Sequence, residues 1–304
     1  MCTAISDKNL FGRTLDVEKD YGQKIVITPR NYRKCKNKYA ILGIALVAED
    51  YPLYFDGINE KGLAVAGLNF PDYAYYNERK KDKINIAPFE FIPYILGNYK
   101  SVKELKKDIE KVNITDSHFS DNLKNTPMHW IVSDENESIT VEPTKEGIKI
   151  YDNPVGVLTN SPPFDIQFFE LNKYIGLSVK SPKNSFSDKI NLSAYSRGMG
   201  AIGLPGDLSS PSRFVRAVFV KYNMIYEKGE DITRFFHILS NVSQQKGCVI
   251  TENEEYEYTV YSTCYDRENL SLYYKTYYGM SINFMTFLME DFKKEKLSCY
   301  SFLK

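Results

Sequence analysis

The sequence has no excess of charge of either sign, because 39 Lys and Arg residues balance 39 Asp and Glu residues. A protein that binds the phosphate backbone of a nucleic acid by releasing counterions carries a surplus of positive charge. We therefore expect no nucleic-acid partner. Hydrophobic residues make up 43% of the 304 positions and charged residues 26%, a composition that supports a large core and excludes a disordered chain.

Long hydrophobic runs are also missing. The longest nearly uninterrupted apolar run, Tyr39 to Ala48, is roughly half of the ~20 residues that cross a bilayer. Near the amino terminus, Asp7 and Lys8 come before any apolar stretch as long as that of a secretory signal. We expect a cytoplasmic protein that does not span a membrane.

Cysteines are few, odd in number and widely scattered, at Cys2, Cys35, Cys248, Cys264 and Cys299. Without an export signal, this distribution argues against a disulfide framework. No pair has the CxxC spacing that is typical of zinc sites, so we expect no metal. We interpret the four cysteines other than Cys2 as core or partly buried thiols.

Periodicity and turn residues predict strands, two helices, more strands, a helical part and strands again. The predicted strands are residues 2–6, 10–16, 24–28, 39–48, 53–55, 63–68, 128–132, 138–141, 148–151, 156–158, 256–263, 270–275 and 281–287. The predicted helices are residues 87–96, 101–112, 164–174, 211–226 and 232–239. This order fits two packed sheets with helices outside, an α+β arrangement, and the lack of a linker indicates one domain over 1–304.

Cys2 is the first candidate for chemistry. Removal of the initiator Met is expected when a small residue follows, and it would leave a cysteine with a thiol and a free α-amine. That amine has an ordinary pKa near ~7.7 and the thiol one near ~8.5, so one residue can supply both base and nucleophile. The alternative is that position 2 tolerates any small residue.

Arg13 and Asp16 strengthen this hypothesis. They lie on the second predicted strand, which can pair with residues 2–6 and so face Cys2. A guanidinium near the sulfur favours thiolate, and a carboxylate can accept a hydrogen bond from the α-ammonium. An ordinary surface pair at a strand end is the alternative interpretation.

Several blocks of sequence are long enough to be specific. They are MCTAIS, LFGRTLD, ITPRNY, YPLYFDGINEKGLAVAGLNFP, MHW, DNPVGVLTNSPPFD, YSRGMGAIGLPGDLSSPSRFVRA and FFHIL. In this order they resemble the choloylglycine hydrolase family, most closely its bile salt hydrolases, from Met1 to about Thr286. The resemblance implies an N-terminal-nucleophile hydrolase with an αββα sandwich and amide hydrolysis by Cys2. Only residues 287–304 look divergent.

The family resemblance implies roles for further residues. Arg13 and Asp16 resemble the residues that tune the thiol and hold the α-amine. Asn69 in GLNFP resembles the residue whose backbone N–H contributes to the oxyanion hole, and Asn160 in LTNSP the one that adds a side-chain amide. Without the resemblance both asparagines would be turn formers. Arg213 lies in the first turn of a predicted helix, where a cation opposes the helix dipole, and the family places it beside the nucleophile.

The histidines are interpreted as structural. His129 lies in a predicted strand beside Trp130, and His237 lies in an apolar helix, so both fit satisfied, partly buried side chains. An amine on Cys2 also makes a histidine base unnecessary. His118 belongs to the polar loop 116–125, which in the family lies near the substrate entrance, and we assign it no chemical role.

The resemblance implies that the substrate is a small molecule, a bile salt conjugated to glycine or taurine. A rigid steroid requires an apolar pocket, for which Leu15, Phe55 and Ala64 are candidates by their position in the motifs, with core packing as the alternative. No metal or organic cofactor is implied. Residues 180–207 look like the loop through which bile salt hydrolase subunits assemble, so a homotetramer is implied, with an ordinary surface loop as the alternative.

Three other functions remain open at this point. Penicillin V acylase shares the fold and mechanism, although we expect a Tyr there where this chain has Asn69. An N-acyl homoserine lactone acylase activity is a further possibility, as a side reaction. A non-catalytic binding protein would have no use for the intact set of Cys2, Arg13, Asp16, Asn160 and Arg213.

Overall fold

The computed structural model describes residues 1–288 and 290–303. The strands are β1 Cys2–Asp7, β2 Leu10–Val17, β3 Lys24–Thr28, β4 Ile41–Ala48, β5 Tyr51–Asn59, β6 Ala64–Asn69, β7 Ile84–Ile86, β8 Val112–Ile114, β9 Met128–Ser133, β10 Ser138–Thr144, β11 Gly147–Asp152, β12 Val157–Leu158, β13 Val249–Ile250, β14 Tyr256–Asp266, β15 Ser271–Thr276, β16 Asn283–Thr286 and β17 Ser298–Tyr300. The helices are α1 Phe91–Asn98, α2 Val102–Leu105, α3 Phe164–Glu170, α4 Ser210–Asn223 and α5 Asp231–Ser240. Short 3₁₀ turns occupy Pro88–Glu90, Ile109–Lys111, Leu171–Tyr174 and Met199–Ala201.

Two antiparallel sheets contain most of these strands. Sheet I has the order β12-β1-β2-β14-β15-β16, with β13 added to β14. Sheet II has the order β11-β10-β9-β6-β5-β4-β3-β17, and β7 and β8 form a separate parallel pair. The two-sheet prediction is therefore confirmed.

Side-chain alternation explains why the sheets stack. On β3, Ile25 and Ile27 join the core that both sheets share, while Val26 between them packs in a second core with Phe91 and Ile95 of α1. Successive strand residues point to opposite faces, so one apolar strand lines both cores. The result is a sandwich with α1 outside sheet II.

Helices α4 and α5 cover the other side. Phe214 of α4 and Phe235 of α5 are fully buried in the shared core cluster with residues of β1 and β2. Burying a side chain of this size contributes about 1.5–3 kcal/mol. The helices thus fix β1, the strand that begins with Cys2, from the outside of the sandwich. None of the helices that the structure describes has the length and apolar character needed to cross a membrane.

Some predicted elements are wrong. The helix expected over 101–112 is the single turn α2 followed by a 3₁₀ turn, although Ser101 does cap it by accepting the N–H of Glu104 at 3.2 Å. The chain leaves the helix early because Val112 pairs with Ile84 in the parallel ladder of β7 and β8. Strand β17, which pairs with β3 at the edge of sheet II, was also not predicted.

Candidate active site

The hairpin of β1 and β2 places Cys2 at the start of a central strand. Cys2 pairs with Leu15, and Ala4 pairs with Arg13. On its other side β2 pairs with β14, so that Arg13 faces Thr263. Gly12 is required here, since an added Cβ would come within 1.9 Å of the Thr263 carbonyl oxygen. Cys2 is only 4% exposed, so its surroundings are set by packed neighbours.

Arg213 ties α4 to the first residues of β1. Its Nη1 donates to the carbonyl of Cys2 at 2.6 Å and to the hydroxyl of Thr3 at 2.7 Å, and its Nε donates to the carbonyl of Leu208 at 3.1 Å. Its Nη2 donates to Asn160 Oδ1 at 2.7 Å. The helix therefore carries a fully buried cation to the backbone of Cys2, and burial lowers the pKa of Arg213.

Asn160 joins three parts of the site through its side chain. Its Oδ1 accepts the backbone N–H of Cys2 at 2.8 Å as well as the Arg213 guanidinium. Its Nδ2 donates to the carbonyl of Asn69 at 2.7 Å. An amide nitrogen has two protons, so the second can serve another acceptor. Asn160 thus links the start of β1 to the end of β6.

The backbone around Asn160 is held by buried side chains, of which the sequence singled out only His129, as a structural residue. Ser210 Oγ accepts the N–H of Asn160 at 2.8 Å, and Gln167 Nε2 donates to its carbonyl at 2.6 Å. Ring nitrogen Nε2 of His129 lies 2.8 Å from the Thr159 carbonyl, and its Nδ1 lies 3.1 Å from Glu142 Oε1. These side chains are buried and paired, so they fix the position of Asn160.

Arg13 is also fully buried, and it approaches from the other face of sheet I, since it pairs with Ala4 on β1 and its side chain reaches carbonyls of sheet II. Its Nη1 donates to the carbonyls of Phe55 and Gly67, and its Nε to that of Thr14. Within the described residues, its Nη2 has no hydrogen-bond partner. Burial alone would lower the pKa of Arg13, but the charges around it, that of Cys2 first, raise the pKa above its ordinary value.

Asp16 is buried and lies beside the amino terminus. Its carboxylate accepts hydrogen bonds from Thr14 at 3.0 Å and from Thr259 at 2.6 Å. Its backbone N–H donates to the carbonyl of Met1 at 2.9 Å, and its own carbonyl accepts the α-ammonium of Met1. With Met1 in place, the nitrogen of Cys2 is an amide and bonds to Asn160, not to the Asp16 carboxylate.

A second buried carboxylate near Arg13, that of Asp56, was also missed. It accepts the hydroxyls of Tyr261 at 2.6 Å, of Thr263 at 3.4 Å, and of Tyr265. Burial raises the pKa of Asp56, while the positive charge of Arg13 and these hydroxyls oppose the rise. The cluster places a buried carboxyl group near the guanidinium of Arg13, which forms no salt bridge within the described residues.

The three predicted pocket residues lie in different surroundings. Leu15 and Ala64 are buried in the core between the sheets, and Leu15 is the strand partner of Cys2. Phe55 is half-buried and lines a cavity of about 210 Å³. The apolar residues that line this cavity with it include Leu46, Leu53, Phe89, Phe119, Met128 and Trp130. Lys124, Asn125 and Thr126 also line this cavity, so its wall is mainly apolar with a polar part.

The structure corrects three burial predictions. His237 is exposed on α5, because the apolar face of the helix is formed by its neighbours Phe235, Phe236 and Ile238. Cys248 and Cys299 are exposed, not core or partly buried, and all five cysteines are free. Among residues 1–288 and 290–303, no three His, Cys, Asp or Glu side chains come together as metal ligands.

Comparisons with known proteins agree with this geometry. Residues 2–300 match the family of linear amide C–N hydrolases called the choloylglycine hydrolase family. The chain is 51% identical to a bile salt hydrolase/transferase of Lactiplantibacillus plantarum, over 99% of this chain and 96% of that one. It superimposes with a TM-score of 0.93 on the mutant C2A conjugated bile acid hydrolase from Clostridium perfringens, at 38% identity over 100% of this chain and 97% of that one.

The penicillin V acylase of Agrobacterium tumefaciens has the same fold. The TM-score is 0.75 at 22% sequence identity, over 98% of this chain and 90% of that chain. Together with the match to the conjugated bile acid hydrolase, the two stacked antiparallel sheets identify the fold as that of the N-terminal-nucleophile hydrolases. The chain belongs to the choloylglycine hydrolase family of linear amide C–N hydrolases.

Proposed function

We propose that this enzyme hydrolyses the amide bond of glycine- or taurine-conjugated bile salts, with Cys2 as the nucleophile after Met1 has been removed. One observation carries the proposal: Cys2 lies between two buried guanidiniums and bonds to Asn160, in a chain that is 51% identical to a bile salt hydrolase/transferase. A thiol, an amine on the same residue and nearby amide donors are the groups that acyl transfer requires.

The proposed reaction begins with proton transfer from the Cys2 thiol to its own α-amine. The thiolate then forms a bond to the carbonyl carbon, and the carbonyl oxygen becomes an oxyanion. The backbone N–H of Asn69 and the second Nδ2 proton of Asn160 bind this oxyanion, and the Asn69–Asn160 hydrogen bond keeps both donors together. The α-ammonium returns its proton to the leaving nitrogen as the C–N bond breaks. Water then hydrolyses the thioester, with the α-amine as base.

Arg13 is proposed to stabilise the thiolate. Its Nη2 is the buried nitrogen that is still free to donate, and a buried donor without a partner costs free energy until it gains an acceptor. Asp16 is proposed to orient the α-amine once the amide bond to Met1 is gone, since its carboxylate lies beside the same strand position. Arg213 is proposed to hold Cys2 and Asn160 in register.

The proposed substrate is tested by assaying the purified enzyme side by side on glycocholate, taurocholate and penicillin V. We expect turnover of the conjugated bile salts to be the fastest, because Phe55 lines a cavity whose wall is mainly apolar. Cys2→Ser serves as the inactive control and Cys35→Ser as the matched substitution away from the site. Faster turnover of penicillin V would make the enzyme a penicillin V acylase instead.

We also propose that the enzyme is a homotetramer that assembles through the loop 180–207. In support, Phe186 and Tyr195 in this loop are 81% and 86% exposed, and large exposed apolar side chains often mark an interface. Light scattering on the wild type should give four times the chain mass, and Phe186→Ser with Tyr195→Ser should lower it. A monomeric wild type would contradict the proposal.

Two broader expectations also remain proposals. We propose that residues 1–304 form one domain, because Phe214, Phe235 and residues of both sheets share one core cluster. A single cooperative unfolding transition would support this, and two separate transitions would contradict it. We also propose that the enzyme acts in the cytoplasm, which cell fractionation would test.

A further inference from the structure

Met1 occupies a defined place in the uncleaved chain. Its α-ammonium donates to Glu257 Oε1 at 2.9 Å and to the carbonyl of Asp16, and its own carbonyl accepts the N–H of Asp16 at 2.9 Å. Met1 thus extends β1 by one residue along β2. The side chains of Met1 and Glu257 are 29% and 16% exposed, so the contact is partly buried.

Glu257 is held firmly by the sheet. It lies on β14, where the next residue, Tyr258, pairs with Val17, and Thr259 pairs with Asp16. Residues two apart on a strand point to the same face, so Glu257 projects on the side where Thr259 reaches the Asp16 carboxylate. Its carboxylate is therefore aimed at the end of β1 by the backbone and not by a flexible loop.

Removal of Met1 takes away the partners of three groups at once. They are the carboxylate of Glu257 and the N–H and carbonyl of Asp16, and partly buried polar groups are stabilised by regaining partners. Free glycine contains the same backbone atoms as Met1, from the ammonium through Cα to the carboxyl carbon. It can therefore make the same kinds of contact, displaced by roughly 1.5 Å, because its carboxylate is no longer bonded to the Cys2 nitrogen and lies at hydrogen-bond distance from it. The carboxylate then lies between the ammonium of the glycine and the α-ammonium of Cys2, whose positive charge it stabilises.

We propose that the place of Met1 becomes, after its removal, a subsite for a free α-amino acid. The ammonium of the amino acid binds Glu257 and the Asp16 carbonyl, and its carboxylate binds the Asp16 N–H and the α-ammonium of Cys2. The inference rests on the proposed function, because it requires a mature enzyme without Met1. Glycine bound in this way keeps the Cys2 amine protonated and slows turnover. Taurine binds more weakly, because two carbons separate its ammonium from the sulfonate.

The test is a calorimetric titration of the mature enzyme with glycine and with taurine, after intact-mass measurement confirms that Met1 is absent. We expect roughly millimolar affinity for glycine, since so small a ligand makes few contacts. Glu257→Gln should weaken glycine binding about 10-fold or more, and Glu257→Asp should weaken it less. Glu255→Gln removes the same charge nearby without this contact, so its affinity for glycine should equal that of the wild type.

A chain with one Gly before Cys2 is the second control, because the added residue fills the place of Met1. It should not bind glycine. Equal glycine binding by the wild type and by Glu257→Gln, or by the Gly-extended chain, would overturn the subsite. Circular dichroism confirms that each variant is folded.

Initial rates on taurocholate with added glycine separate this proposal from the proposed function. Inhibition by glycine that is lost in Glu257→Gln supports both. Glycine binding that depends on Glu257 in an enzyme that does not hydrolyse taurocholate would leave the subsite intact and refute the proposed function. Hydrolysis without any binding of glycine would refute the subsite alone.

Discussion

A buried guanidinium lies on each side of Cys2, but the two guanidiniums differ in their hydrogen bonding. Arg213 and Arg13 are both fully buried, but each nitrogen of the Arg213 guanidinium has an acceptor, in Cys2, Thr3, Leu208 or Asn160. Arg13 is held at Nε and Nη1 by carbonyl oxygens, and its Nη2 has no partner in the described part of the chain.

This difference separates two tasks that a buried cation can perform. A guanidinium whose donors are all used by fixed atoms holds those atoms in place. A guanidinium that is positioned by two of its nitrogens and free at the third can bind a charge that appears during the reaction. We therefore propose that Arg213 positions its partners and that Arg13 stabilises the thiolate.

The largest loss of activity is expected from substitution of Cys2, the residue between the two guanidiniums. Cys2→Ser should lower kcat on glycocholate by roughly 10³-fold or more, because a hydroxyl is far less ionised than a thiol at neutral pH. Cys35→Ser should change it little, since burial raises the pKa of the Cys35 thiol to about 12 and so disfavours a thiolate there. Substantial turnover by Cys2→Ser would show that another residue is the nucleophile.

Asn160 tests the link between the Arg213 side and the oxyanion. Asn160→Ala should lower kcat by roughly 10² or more with a small change in KM, because one oxyanion donor is lost. Asn172→Ala, at an exposed asparagine that bonds only to the Phe169 carbonyl among the described residues, is the matched control. A raised KM with unchanged kcat would instead place Asn160 in substrate binding.

The two arginines can be compared directly by the same conservative change. Arg213→Lys should lower Tm more than Arg13→Lys, because an ammonium cannot bridge Cys2, Thr3 and Asn160 together. Arg13→Lys should lower kcat by roughly 10 to 10²-fold with a smaller loss of Tm. Thermal unfolding and steady-state kinetics of both variants check this, and equal losses of Tm would remove the distinction between the two sides.

The smallest effect is a loss of stability at Asp207, which lies just before α4, the helix that carries Arg213. Hydrogen bonds from Ser209 and Ser212 lower the pKa of Asp207 to about 2. An acid with a lowered folded pKa adds stability above its unfolded pKa near ~3.9, and this stability is lost as the pH falls toward 2. Asp207 is largely exposed, so Asp207→Asn should cost under about 1 kcal/mol at pH 7. Denaturant titrations at both pH values measure this, and an equal loss at pH 2 and pH 7 would contradict it.

The sequence predicted the sandwich because the residues of its strands either alternate between apolar and polar or are uniformly apolar. Both patterns can be recognised within a short segment of sequence. It failed for the helix 101–112, which ends after α2 because the chain must return to pair β8 with β7. Strand β17 was missed for a similar reason, since three residues pair only because β3 has a free edge.

The site was predicted in part. Cys2, Arg13 and Asp16 lie on two consecutive strands, so local pairing and charge already indicated them. Gln167 and Ser210 approach Asn160 from different helices, and no spacing in the sequence signals such contacts. The buried pair of His129 and Glu142 likewise depends on strand register. The sequence indicated these residues only by their polar side chains within otherwise apolar strands and helices.

The central claim is that the free α-amine of Cys2 is the catalytic base. It is tested most directly by measuring kcat on glycocholate for a chain with a single Gly before Cys2, whose mass confirms the extra residue. The amine is then an amide that cannot accept a proton at working pH, although the thiol remains. We predict loss of nearly all turnover, while the same enzyme tagged at its carboxyl end stays active and lacks Met1. Full turnover by the Gly-extended chain would contradict the account.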